Sequence, residues 1–484
     1  MSVMREHVAS GLKWTAVSQA SRLLSQLIGV LVLAHLLPPT DFGLLAMAAT
    51  VTGFVSLFLD LGAGAAIVQK NDPSHQLLDS VFWLNAAFGV GLAVLIAAVT
   101  PAIAFGLAEP RLKGVLWLLV LAFPISSLGV VHQALLEKIS NFRQLAILES
   151  SASFTGLAGA AGAALAGWGV YSLVLQTLLT TFLTTCGLWL ASQWRPKCRW
   201  DFREIRSLAG FSGNLVGFNI FNYFVRNADN LLIGRYLGAS DLGYYTMAYK
   251  LMLWPLQNIS RVVGRAMFPV FSRVQSEQNR LAEAYVRTTA AIALICAPLM
   301  FGFFVLREQF VLVALGEKWR PVAAVLAWLV PVGLLQSIGT TVGTLYLATG
   351  RTDVMFKWGV LSGIFVIPSF VIGLKWGITG VAAAYCMISV VVFYPALAIP
   401  YKLVGLRVGD VVKRCIPSLI SAAVMAIAVK VALMAWPART DYMLPRLILL
   451  ISLGILIYSG LSLLTQRVLL NDIRRVMFPR SRIE

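Results

Sequence analysis

Three stretches of this chain carry polar and cationic side chains at helical spacing inside runs that are otherwise apolar. Ser18, Arg22 and Gln26 recur every fourth residue. Asn219, Asn222, Tyr223, Arg226 and Asn230 form a second stripe with Asp229 beside it, and Lys250, Gln257, Arg261 and Arg265 form a third. Such intervals place side chains along one face of a helix. The chemistry open to this set is recognition rather than catalysis. Guanidinium groups grip phosphate oxygens through paired, charge-assisted hydrogen bonds, while the amides add neutral donors and acceptors.

The elements that position these residues follow from composition. Of 484 residues, 58% are hydrophobic and 12% charged, and apolar runs of the length needed to cross a bilayer follow one another with short gaps. About fourteen spans are expected, from 15–37 to 446–466. An alternating barrel pattern is absent, which leaves helices as the spanning element. The fold class is therefore all-α and polytopic. A charge at the bilayer centre costs roughly 2.5–3.5 kcal/mol on insertion scales, so the stripes are expected to line a watery cavity, not to face lipid.

The first span is expected to stay attached and not to be cleaved as a signal, because Arg22 interrupts it and no A-x-A-like site follows. Cys186, Cys198, Cys296, Cys386 and Cys415 are scattered and suggest neither a disulfide framework nor a metal site. The formal charge of +18 would raise nucleic-acid binding in a soluble chain. Here it tracks topology: basic residues concentrate on one side, including five in 192–207 and five in the tail from Gln466. The positive-inside rule then places both termini in the cytoplasm, and these segments also touch anionic headgroups.

A repeat gives the organisation. HLLPPTDFGLLAMA (35–48) returns as RYLGASDLGYYTMA (235–248), with Leu37/Leu237, Asp41/Asp241, Gly43/Gly243, Met47/Met247 and Ala48/Ala248 identical at an offset of 200. The same offset aligns Gly64 with Gly264 and Ala66 with Ala266. Locally the phrase reads as a turn and a helix cap, with Thr40-Asp41 and Ser240-Asp241 accepting from free N–H groups. Its register argues for duplication. The expected organisation is an N-lobe of six helices (1–192), a basic cytoplasmic linker (193–208), a C-lobe of six helices (209–404), then two further helices and a basic tail (405–484). Parallel repeats of this kind frame a central pathway in secondary transporters.

Within the spans Arg22, Arg226, Arg235, Lys250, Arg261, Arg265, Arg307 and Lys430 outweigh Asp60, Glu149, Asp229 and Glu308. Arg235, Arg265 and Arg307 lie near span ends, where long side chains snorkel to headgroups. Arg226 and Asp229 stand one turn apart and could neutralise each other. Arg22, Lys250 and Arg261 have no acid within one turn. A net cationic cavity selects anions, above all phosphate, and disfavours an exporter of organic cations.

GLKWTAVSQASRLLSQLIGVLVLAHLLPPTDFGLLAMA, FLDLGAGAAIVQ, LGEKWRPVAAVL and LATGRTD resemble the polysaccharide-transporter branch of the multidrug/oligosaccharidyl-lipid/polysaccharide exporter superfamily, of the colanic-acid-exporter type. The resemblance spans nearly the whole chain. It implies two six-helix lobes in a V, a cavity among helices 1, 2, 7 and 8, and a substrate of oligosaccharide carried on undecaprenyl pyrophosphate. Positions that match its motifs are Trp14, Asp41, Gly43, Asp60, Gly62, Gly64, Gly316, Trp319, Gly350 and Arg351, most of them architectural. Pro38-Pro39 departs from the usual Gly-Pro.

Together these imply a flippase of the bacterial inner membrane, working by alternating access and carrying out no covalent chemistry. Arg22, Arg226, Lys250 and Arg261 would bind the pyrophosphate. Gln26, Asn219, Asn222, Asn230 and Gln257 would line the cavity. No cofactor is called for: a Walker loop is absent, and Asp229, Asp60, Glu149 and His132 are the candidates for proton or sodium coupling. The implied partners are the lipid-linked glycan, membrane lipids and polysaccharide assembly proteins, with no nucleic acid. A flippase for the peptidoglycan precursor shares the phosphate logic. A multidrug antiporter is disfavoured by cavity sign, and a glycosyltransferase or polymerase by the shortness of the outer loops.

Overall fold

The computed structural model describes residues 21, 24–59, 67, 74–198, 213–254, 277–436 and 443–467. Among the described residues there is no strand, and helices are joined by short turns. Among the described residues eight helical runs are long and apolar enough to cross a membrane, or nine if the bent pair Leu112–Ser127 and Val130–Lys138 is one span. One of the eight, Thr352–Leu403, is two helices joined by a 3₁₀ turn. The chain is thus all-helical and polytopic. It divides into two compact units, Met1–Gly243 and Tyr244–Glu484.

The first unit contains α1 (Leu24–Leu36), α2 (Pro39–Leu59), α3 (His75–Gly106), α4 (Leu112–Leu119), α5 (Ala122–Ser127), α6 (Val130–Lys138), α7 (Phe142–Leu165), α8 (Val170–Ala191), α9 (Gly213–Tyr236) and the first residues of α10 (239–254). Pro39 opens α2, where its fixed φ suits a first helical turn and its missing N–H leaves no bond unmade. Asp41 therefore sits inside the first turn, where its charge favours the helix dipole; it is not the cap that the sequence suggested. Ser74 does cap α3, accepting from the Leu77 N–H at 3.1 Å. The apolar run over 114–136, long enough for one span, is three short helices with a 42° bend. Pro124, lacking an N–H, and Gly129, at the break, supply the cause.

Lipid offers no hydrophobic force between helices, so close approach of small residues does the packing. In the α7–α8 hairpin a Cβ on Gly156 would stand 2.1 Å from Thr180 Oγ1, and one on Gly187 would stand 2.6 Å from a Leu148 methyl.

The second unit holds the rest of α10, then α11 (Gln278–Ala314), α12 (Pro321–Gly339), α13 (Val342–Ala348), α14 (Thr352–Gly373), α15 (Gly377–Leu403), α16 (Val408–Ala435) and α17 (Met443–Thr465). α16 and α17 share one buried cluster with α11, built on Ala290, Ala297, Ala422, Met425, Val429 and Leu450. Polar handles fix its register: Tyr458 donates to the Leu294 carbonyl at 2.7 Å, and Ser418 donates to Gln466 Oε1 at 2.7 Å. Bonds of this type contribute about 0.6 kcal/mol each in a membrane. Arg446 is buried and donates to the Leu433 and Trp436 carbonyls, closing the C-terminal end of α16. Exposed Val391, Ile427 and Leu456 suit an acyl-chain environment.

Candidate functional site

The two copies of the repeated phrase meet each other. A Cβ on Gly43 would stand 1.7 Å from the Ala239 carbonyl oxygen, and a Cβ on Gly243 would stand 2.0 Å from the Pro39 carbonyl oxygen. Each would also lie close to the other glycine's nitrogen, at 3.0 and 3.3 Å. Pro39 and Ala239, like Gly43 and Gly243, are related by the 200-residue offset, so the contact is reciprocal. It has the form of a local two-fold crossing of α2 over the start of α10. Side chains larger than hydrogen have no room there.

From this crossing α2 and α9 run side by side in opposite directions. Gly234 faces Met47, whose Cε would be 3.1 Å from an added Cβ. Further along, the Tyr223 hydroxyl donates to the Thr50 carbonyl at 2.7 Å, and a Cβ on Gly53 would be 2.5 Å from that hydroxyl oxygen. Phe54 packs on Phe224 and Tyr223 with ring centroids 5.0 and 6.0 Å apart.

The polar stripe of α9 divides between this seam and the open side. Asn227 donates to the Tyr223 carbonyl at 2.8 Å. Asp229 is buried, with Oδ1 accepting the Asn230 N–H at 2.8 Å. Asn222 and Asn230 are half-buried and Arg226 is exposed. Among the described residues Arg226 enters no ion pair, with Asp229 or any other carboxylate. A guanidinium on a span-length helix without a carboxylate within 4 Å is a group able to take an anion.

The family described as "Polysaccharide biosynthesis protein" matches residues 32–324, from α1 through the start of α12 and across both copies of the phrase. The chain belongs to this family. The lipopolysaccharide biosynthesis protein WzxC of Escherichia coli (strain K12) is 28% identical over 393 residues, covering 80% of each chain. The succinoglycan biosynthesis transport protein ExoT of Rhizobium meliloti (strain 1021) is 27% identical over 494 residues, covering 99% of this chain and 98% of its own. Among solved structures, the lipid II flippase MurJ in an inward closed conformation superposes with a TM-score of 0.77 at 14% identity, covering 95% of this chain and 100% of its own. That likeness establishes the fold.

In this member of the polysaccharide biosynthesis family, Lys250 is exposed on α10 and enters no ion pair among the described residues. Gln26 is exposed on α1. Arg22, Arg261, Gln257 and Asp60 lie outside the described residues, as does the side chain of Asn219. Arg307, expected to snorkel, donates to the Phe304 carbonyl at 2.6 Å and lies over the Phe304 ring.

Two features escaped sequence reasoning. One is the role of Tyr223, whose partner is 173 residues away. The other is the docking of the segment after α8. Asp79, buried on α3, accepts the Lys197 N–H at 3.0 Å, and the Trp83 indole donates to the Lys197 carbonyl at 3.0 Å. Trp194 and Trp189 flank the buried His132 ring at 5.3 and 4.7 Å. The signal available was the clustering of Trp189, Trp194 and Trp83 at the ends of their spans. On the loop between α3 and α4, Arg111 hydrogen-bonds Glu109 at 2.9 Å and holds its carboxyl below the ordinary carboxylate range.

Proposed function

We propose that the chain is a flippase that moves undecaprenyl-pyrophosphate-linked oligosaccharide repeat units across the bacterial inner membrane by alternating access. The observation that carries this reading is Arg226: an exposed guanidinium, unpaired among the described residues, on a helix of spanning length. Family membership and the names of WzxC and ExoT support a glycan substrate class. In the proposal Arg226 binds the diphosphate, with Arg22, Lys250 and Arg261 as further cationic contacts. Gln26, Asn219, Asn222, Asn230 and Gln257 solvate the glycan. The polyprenyl tail stays in lipid. Both termini face the cytoplasm, which puts the Pro39 end of α2 at the outer surface. Asp229 and Asp60 are the candidates for ion coupling, and no covalent step is involved.

Deleting the chain should trap lipid-linked repeat units on the cytoplasmic leaflet; normal delivery to the outer leaflet would reject the proposal. A second reading, a flippase for the peptidoglycan precursor, is favoured by the fold shared with the lipid II flippase. It predicts instead that deletion arrests wall synthesis.

A further inference from the structure

The Tyr223 hydroxyl occupies an unusual place on α2. It donates to the Thr50 carbonyl at 2.7 Å. In an α-helix that carbonyl is also the acceptor for the N–H of residue 54, and its second lone pair is free for the phenol. The hydroxyl thus shares the acceptor of one rung of the α2 ladder. Gly53 makes this possible, because a Cβ there would stand 2.5 Å from the hydroxyl oxygen. Glycine is unfavourable inside a helix, and the seated hydroxyl explains its presence here.

We propose that Tyr223 is a releasable latch between α9 and α2, a positioning residue for transport; this rests on the flippase reading above. Polar backbone groups in lipid must be paired in every state of a moving protein. Engaged, the hydroxyl adds a second bond to the Thr50 carbonyl. Released, that carbonyl keeps its place in the helix ladder, and the phenol turns to the polar side of α9, where Asn222 and Arg226 stand within one turn. Neither state strands a buried donor or acceptor, so the two differ by about one hydrogen bond. The Gly43–Gly243 crossing beyond it is equally suited to parting, because backbone meets backbone there and no side chains interlock. Arg226 lies three residues after Tyr223 on the same helix. Binding of a diphosphate there can therefore bias the latch in proportion to its preference for one state.

The test places a single cysteine at Ala46, on α2 between the Gly43 crossing and the Thr50 rung, in a chain whose native cysteines are replaced. A membrane-impermeant maleimide is added from outside to cells and labelling is timed. Y223F keeps the ring and loses the hydroxyl; G53A pushes the hydroxyl off its rung. Both should reach the membrane at normal levels and label faster, by about five-fold, the population change equivalent to one hydrogen bond of ~1 kcal/mol. Labelling of both variants at the unmodified rate overturns the latch. So does loss of both from the membrane, which would make the hydroxyl a folding element. Labelling is read without substrate, so a latch that responds in a chain whose deletion leaves glycan delivery intact would sink the flippase reading and spare the latch.

Discussion

Gly43 and Gly243, 200 residues apart, press their backbones together so closely that a methyl on either would fall within about 2 Å of the carbonyl oxygen of Ala239 or Pro39. Repetition in the sequence thereby becomes contact in the fold: the element copied is the element that pairs.

Gly43→Ala and Gly243→Ala should each destabilise by about 1–3 kcal/mol, the usual cost of overpacking, and by similar amounts because the crossing is reciprocal. Gly91→Ala, with open space around it, is the control and should be neutral or slightly stabilising. Thermal unfolding in detergent checks this. Equal midpoints for Gly43→Ala and Gly91→Ala would contradict the crossing.

Asp79→Ala should release the segment after α8. Asp79 holds the Lys197 N–H, and Lys197 is a trypsin site whereas Arg195 is shielded by the following proline. Losing a buried charge-assisted bond worth about 1.5–3 kcal/mol should speed cleavage after Lys197 by about ten-fold or more. An unchanged cleavage rate would show that Trp83 and Trp194 suffice to hold the strap.

Legibility followed distance in sequence. The helical stripes, the span-length runs and the duplicated phrase are periodic or local signals, and α3 and α9 coincide with the apolar runs expected as spans over 80–107 and 209–237. The residue type of Asp41 favours a cap, but Pro39 takes the first helical position and draws Asp41 into the turn. The break at Pro124 and Gly129 is hidden in the sequence by the continuity of the apolar run around it. The Tyr223–Thr50 bond and the Asp79–Lys197 bond, 173 and 118 residues apart, depend on tertiary contact and leave no local pattern. Arg226 was legible as a candidate, but its freedom from Asp229 was not. On one helix a spacing of three permits pairing, and only the folded positions show that, among the described residues, Arg226 makes no ion pair.

The Glu109–Arg111 pair sets a small acid dependence. Its hydrogen bonds lower the Glu109 carboxyl in the folded chain, so its stabilisation is fully present above the ordinary carboxylate value and is lost as pH falls through the depressed folded value. With the Arg111 side chain 60% exposed, the contribution is no more than about 1 kcal/mol. Glu109→Gln should lower the unfolding midpoint slightly at pH 7 and not at all in strong acid. An equal loss at both would assign the effect to packing.

The most direct measurement is delivery of lipid-linked repeat units to the outer leaflet in cells carrying Arg226→Ala or Arg226→Lys as the sole copy. With normal amounts of each variant in the membrane, alanine should reduce delivery by about ten-fold or more, as expected for loss of a charge-assisted phosphate contact worth about 1.5–3 kcal/mol. Lysine should restore part of it, because charge remains while the bidentate geometry is lost. Wild-type delivery by Arg226→Ala would contradict an anion-binding role for the α9 stripe.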